Sequence, residues 1–138
     1  MFWIRLPFSV PTFSLMTVYC FCFMSKNVKN PTAKDRNHES IHMMQHFELL
    51  LASILLIGIL ALVFSFSAWW ILLSLLMPFV LYVLVWVVEV ILPPYDSAYM
   101  DSCFEREAYA NESNFTYLYN RKSFAWLQWF RTLPDRKN

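Results

Sequence analysis

The sequence predicts an all-α membrane protein: a two-span transmembrane helical hairpin, with a short strand or hairpin before it and amphipathic helices after it. Three observations carry that expectation. Hydrophobic residues make up 58% of the 138 and charged residues only 15%, against about 25% charged in soluble domains. From Leu49 to Val88 there is no Asp, Glu, Lys or Arg, a run of 40 residues. Immediately before that run, His38-Glu39-Ser40-Ile41-His42 places two imidazoles four residues apart on a helix-compatible segment. A single helix of 40 residues would reach about 60 Å, roughly twice the hydrocarbon thickness. The run therefore folds back on itself.

The chain reads as one domain over 1–138. Residues 1–31 form an N-terminal strand or interfacial segment. Leu6–Ser25 lacks charge and is long enough for a third span or for the apolar core of a signal peptide behind Arg5. Pro7, Pro11 and scattered Ser and Thr oppose both, and Thr17–Phe23 is β-branched and aromatic, which favours a strand. Residues 32–47 form the HExxH helix, entered after Asn30-Pro31 with Thr32 as N-cap. Residues 48–92 hold the two spans, about Glu48–Phe66 and Ala68–Leu92, turning near Ser65–Trp70 and closed by Pro93-Pro94. Pro78 should kink the second span. Trp69 and Trp70 at one end, with Trp86 and Tyr95 near the other, fit interfacial belts, and Trp126, Trp129 and Phe130 with Arg121 and Arg131 read as further interfacial anchors. Residues 102–130 alternate polar and aromatic residues at helical spacing, predicting one or two amphipathic helices on the membrane or beside a site.

Basic residues flank the hairpin on both sides (Lys26, Lys29, Lys34 and Arg36 before it; Arg106, Arg121, Lys122, Arg131, Arg136 and Lys137 after it), while its turn is uncharged. The positive-inside rule then puts both flanks in the cytoplasm, so a site can form between them. Other classes drop out. One glycine, Gly58, rules out a glycine-rich phosphate loop. Eleven basic against ten acidic residues provide no footprint for nucleic acid. Cys20, Cys22 and Cys103 form no CxxC pair and read as reduced thiols.

On a helix, His38 and His42 lie on one face and can reach one metal ion, with Glu39 beside them to polarise a metal-bound water as general base. The competing reading is two interfacial histidines with a solvated glutamate. A catalytic zinc site takes three protein ligands and keeps a fourth position for water. Glu48 lies ten residues after His38, but Gln45 occupies the place where a glycine turn would be needed, so the helix runs straight and carries Glu48 about 9 Å past His42. Glu48 is better suited to pairing with a basic side chain. His46 is one turn beyond His42 and suits a supporting or oxyanion-stabilising role. The third ligand is better sought across the hairpin, in the acidic stretch Phe104–Glu112.

HExxH followed downstream by E-x-x-A resembles the gluzincin pattern of integral-membrane zinc proteases, such as the CaaX-processing and HtpX-type enzymes, and of the protease domain of β-lactam sensors. Aligning E-x-x-A on Glu105–Ala108 implies Glu105 as third ligand. Those families place Asp next, where this chain has Tyr109. The pairing of Asn37–Gln45 with Phe104–Glu112 is also similar to a family of small membrane proteins of Bacteroidetes-type bacteria, over about Thr17 to Phe130. This resemblance implies a bacterial source and a metallopeptidase activity, and no particular substrate.

The expectation is thus a zinc metallopeptidase of the bacterial inner membrane, multi-pass, with its site facing the cytoplasm. His38, His42 and Glu105 would hold Zn²⁺ and Glu39 would be general base. Tyr109 or His46 would stabilise the oxyanion. Gln45, Glu89 and Glu107 would support the ligands, Glu89 either by hydrogen-bonding a ligand histidine or, in the competing reading, merely snorkelling toward water at the interface. The Thr17–Phe23 strand would present an edge to a peptide or membrane-protein substrate. The alternative is a non-catalytic small membrane protein, an adaptor or subunit of a protein complex whose metal, if any, is structural or sensory.

Overall fold

The computed structural model describes residues 1–11, 14–65, 67–91 and 102–130. The fold is mostly helical with one small sheet. Strands β1 (Phe2–Arg5), β2 (Leu15–Val18) and β3 (Phe21–Met24) are ordered β1-β3-β2. β1 runs parallel to β3, with Phe2 opposite Phe21, and β2 runs antiparallel to it, with Thr17 opposite Cys22. The expected Thr17–Phe23 strand is therefore split. Tyr19 adopts φ 53°, a left-handed turn conformation, and the two halves become a hairpin rather than one strand. Neither a third span nor a signal-peptide helix forms over the described part of 6–25. β1 pairs with a segment distant in sequence, so local patterning could not announce it.

Helix α1 (Ala33–Phe64) is continuous through the motif and the apolar run. Thr32 caps it with a full capping box: Asp35 N donates to Thr32 Oγ1 (3.1 Å) and Thr32 N to Asp35 Oδ2 (2.8 Å). Ser65, at φ 55°, ends it. α1 is the one described helix that alone is long and apolar enough to cross a membrane, and only 22% of its most apolar window is buried.

The return arm differs from the expected kinked span. It begins as a 3₁₀ helix (Ala68–Leu75), breaks at Leu76, and resumes as α2 (Met77–Ile91) after a bend of 49°. Pro78 explains the break. Lacking an N–H, it cannot continue the preceding helix, but it is tolerated in the first turn of a new one. The Tyr19 hydroxyl donates to the Leu75 carbonyl at this break and ties the sheet to the arm. The closing Pro93-Pro94, Tyr95, and the flank charges Arg131, Arg136 and Lys137 lie outside the described residues, as does Phe66 in the turn.

Helix α3 (Cys103–Asn111) returns against α1, followed by the short α4 (Tyr117–Asn120) and a 3₁₀ turn (Ala125–Trp129). Phe104, fully buried, stacks on Tyr82 of α2 (centroids 4.5 Å apart) and packs on Trp126 (4.7 Å). With Leu49 and Cys103 they form the core that fixes α3 beside the two arms. Trp126 is thus a core residue, not an interfacial anchor. Arg121 is not one either: its guanidinium is buried between Glu48 and Glu107. Because Arg106 also pairs with Glu89, two of the basic residues after the hairpin are neutralised inside the fold.

Candidate metal centre

α1 presents His38 and His42 one turn apart, and α3 brings Glu105 to meet them. Their placement follows from neighbouring contacts. Ser102 caps α3, its hydroxyl accepting from Glu105 N (3.3 Å). Glu89 accepts from Cys103 N (2.9 Å) and from Arg106 Nη2 (2.6 Å). At the other end, Asn37 Nδ2 donates to the carbonyls of Asn111, Glu112 and Asn114 (2.9–3.1 Å). The acid is held in register from both ends of its helix.

The three donors form a compact triangle. His38 Nε2 and His42 Nε2 are 3.0 Å apart, Glu105 Oε2 lies 3.4 Å from His38 Nε2, and Oε1 lies 3.5 Å from His42 Nε2. A four-coordinate ion with bonds of about 2.0–2.2 Å needs ligand atoms about 3.3–3.6 Å apart. The two carboxylate distances run to different oxygens, and with one ligand atom from each residue the three lie within 4.8 Å of one another, so the group has to draw together around an ion to become one face of that tetrahedron. Both imidazoles are also oriented for it. His38 Nδ1 lies 3.1 Å from Glu112 Oε2 and His42 Nδ1 lies 2.8 Å from Gln45 Oε1. With an N–H at each Nδ1 donating outward, both Nε2 atoms face Glu105, and an ion that displaces the His42 proton meets their lone pairs there. Among the described residues, His38, His42 and Glu105 are the group that can hold a metal ion.

The supports reach further back. Gln45 Nε2 donates to Glu107 Oε2 (2.9 Å) and to the Phe104 carbonyl (3.1 Å), which fixes which end of the amide faces His42. Glu107, fully buried, accepts from the Tyr117 hydroxyl (2.8 Å) and from Arg121 Nε (2.6 Å). Arg121 also forks onto both oxygens of Glu48, the basic partner expected for that residue. Burial opposes the Arg121 charge, and the two carboxylates outweigh it, raising its hold on the proton.

Charges at the centre follow the same logic. Burial raises the Glu105 carboxyl, but hydrogen bonds and charge from His38 and His42 overturn this and hold it well below the usual carboxylate range. Burial lowers His42, whereas Glu105, Glu39 and Gln45 bring it up to about 9. Cys22 is pushed up to about 12 by burial and then by the Glu39 charge, and burial raises Cys103 as well. All three cysteines are free thiols.

A cavity of about 680 Å³ opens over the triangle. Glu39 lines it, with one carboxylate oxygen (Oε2) accepting from Thr17 Oγ1 of β2 (2.7 Å). Tyr109 lines it too, its ring edge-on to His38 (centroids 4.7 Å). Burial, then Glu105, Glu112 and Glu39, raise its hydroxyl, so it stays a proton donor. His46 lines the cavity without joining the triangle. Its Nδ1 donates to the His42 carbonyl (3.0 Å), and burial, then the His42 charge, lower it into a neutral ring.

One expectation is corrected. Glu89 touches neither ligand histidine, because it is consumed in anchoring α3 through Cys103 and Arg106. Glu112 was missed as the partner of His38. It lies seven residues after Glu105, on the same face of α3, and that spacing was the available signal. Compared with protein-family models, curated proteins and solved structures, the chain gives no match in any of the three.

Proposed function

We propose that this protein is a membrane-anchored, zinc-dependent metallopeptidase of the gluzincin-like kind, acting on peptides or membrane-protein segments at the cytoplasmic face of a bacterial inner membrane. The observation that carries the reading is the conjunction of a two-histidine, one-carboxylate triangle with a separate buried glutamate, Glu39, in one open cavity. Two imidazole nitrogens and one carboxylate suit zinc, and leave a fourth position free. Bound there, zinc would supply Lewis acidity and lower the pKa of water in that position toward about 7.

The chain's own residues then divide the work. Thr17 steadies Glu39 without neutralising it, so the carboxylate can take a proton from water and pass it to the departing amine. Tyr109, protonated and beside His38, can donate to a developing oxyanion. β2 is an edge strand of the sheet and lines the cavity, so its outer side can pair with an extended peptide. Membrane anchoring rests on α1, on the apolar return arm, and on the exposed apolar side chains along both, from Leu51 to Phe64 and from Trp69 to Leu76.

The test is metal analysis and peptide cleavage by the full chain in detergent micelles, wild type against Glu39→Gln. About one equivalent of zinc in both, with cleavage only by wild type, supports the reading. Absence of bound metal, or equal cleavage by both, refutes it and favours an adaptor role.

A further inference from the structure

The cavity is a groove whose two ends differ in character. Asp35, His38, Glu39, His42 and His46 all line it, so it follows one face of α1 for about 16 Å, room for about five residues of extended chain. The metal triangle sits between its ends. At the end next to the hairpin, the wall is Phe79, Tyr82 and Val83 of α2. Val83 lines the groove and is still 52% exposed, continuous with the exposed Val80 and Leu84. This end opens onto the apolar outer face of α2.

The other end carries Asp35 and Glu112. Among the described residues the groove is lined by four carboxylates (with Glu39 and Glu105) and by no lysine or arginine. Lys34 pairs with Glu112 at 2.8 Å, but its side chain is 55% exposed. Even with that lysine and a divalent ion counted, the wall remains net negative.

We propose that the groove takes an extended peptide whose apolar residues lie against Phe79 and Val83 and whose basic residues lie against Asp35 and Glu112. That sequence of chemistries is the junction where an apolar membrane span passes into its basic cytoplasmic flank. Strand addition on β2 supplies affinity indifferent to sequence, and the two ends supply the selection. Cleavage at such a junction rests on the peptidase reading; selective binding does not.

The experiment uses the full-length protein, zinc-loaded in micelles, and three labelled peptides sharing one Leu/Val-rich half. The second half is rich in Lys and Arg, in Ser, or in Glu. The Glu39→Gln protein, which cannot turn over, is expected to bind the basic peptide at least about tenfold more tightly than the acidic one, with the ratio shrinking as salt rises. Asp35→Lys should cut that ratio at least about threefold, weakening the basic peptide more than the Ser peptide. Asp35→Asn, which keeps a short polar side chain at the helix cap, should cut it less. Val83→Glu should weaken all three peptides together. Equal binding of basic and acidic peptides, or a ratio untouched by Asp35→Lys, overturns the proposal. Selective binding without cleavage by wild type removes the peptidase reading and leaves the groove assignment standing. Indiscriminate cleavage by wild type does the reverse.

Discussion

Replacing Arg121 by Met tests whether the buried charge network sets the metal centre. The guanidinium side chain is 2% exposed, and its partners Glu107 and Glu48 are 0% and 10% exposed. Removing it strands two carboxylates in the interior. Breaking a buried pair costs about 3–5 kcal/mol, and with two acids sharing one cation the upper end of that range applies. The effect should also travel. Without Arg121, Glu107 must acquire a proton or move, and it is Glu107 Oε2 that holds the Gln45 amide whose oxygen meets His42. Loss of a side chain that orients a ligand histidine lowers metal affinity by about 10–100-fold. Chemical unfolding in micelles with and without zinc, and chelator competition for the metal, measure the two effects. Arg121→Met/Glu48→Gln/Glu107→Gln, which removes the stranded charges, should recover most of the stability. A stability loss under about 1 kcal/mol for Arg121→Met, the range of an exposed ion pair, would refute the reasoning, as would unchanged metal affinity.

Four further outcomes are expected. Glu105→Ala and His42→Ala should each weaken metal binding by more than the roughly hundredfold ceiling for a supporting partner, read by metal content after dialysis. The metal-free protein should lose stability as pH rises from 6.5 to about 9, because a raised His42 contributes only while protonated. Metal must displace that proton, so zinc affinity should climb over the same interval; melting curves with and without zinc should diverge as pH rises. Asn37→Leu takes one donor from each of three backbone carbonyls, of which those of Asn111 and Asn114 keep the N–H groups of Asn114 and Tyr117, and should cost about 1–3 kcal/mol through the Glu112 carbonyl, measured by unfolding. Thr32→Ala, which removes the α1 cap, should cost about 1 kcal/mol and leave metal affinity unchanged.

What could be read from the sequence follows from how local each signal is. The i, i+4 histidines, the Thr32 cap and the uninterrupted helix from the motif into the apolar run depend on neighbours within one or two turns. The acidic stretch Phe104–Glu112 needed a longer inference, that a folded-back run returns the chain to the same end of α1, and Glu105 within it was singled out by the E-x-x-A resemblance. The uses of Arg121, Trp126 and Glu89 escaped for the opposite reason. A basic or aromatic residue near an apolar run reads as a surface anchor unless its partner is known, and Glu48 and Glu107 meet Arg121 from two separate helices. The parallel pairing of β1 with β3 likewise depends on a contact between segments about twenty residues apart, with nothing in either four-residue strand to announce it.

The unbroken course of α1 has a mechanical consequence. Three residues, or about 4.5 Å of helix rise, separate His46 from Leu49, where the uncharged stretch begins, and no proline interrupts the rod between them. In a bilayer, the height of the ligating nitrogens above the lipid would be set by how deeply that one rod sinks and how far it leans. A thicker or thinner bilayer would shift or tilt the centre itself. The protein would be a gauge of fixed reach, its centre open to ligands at the headgroup level rather than to those far out in the water.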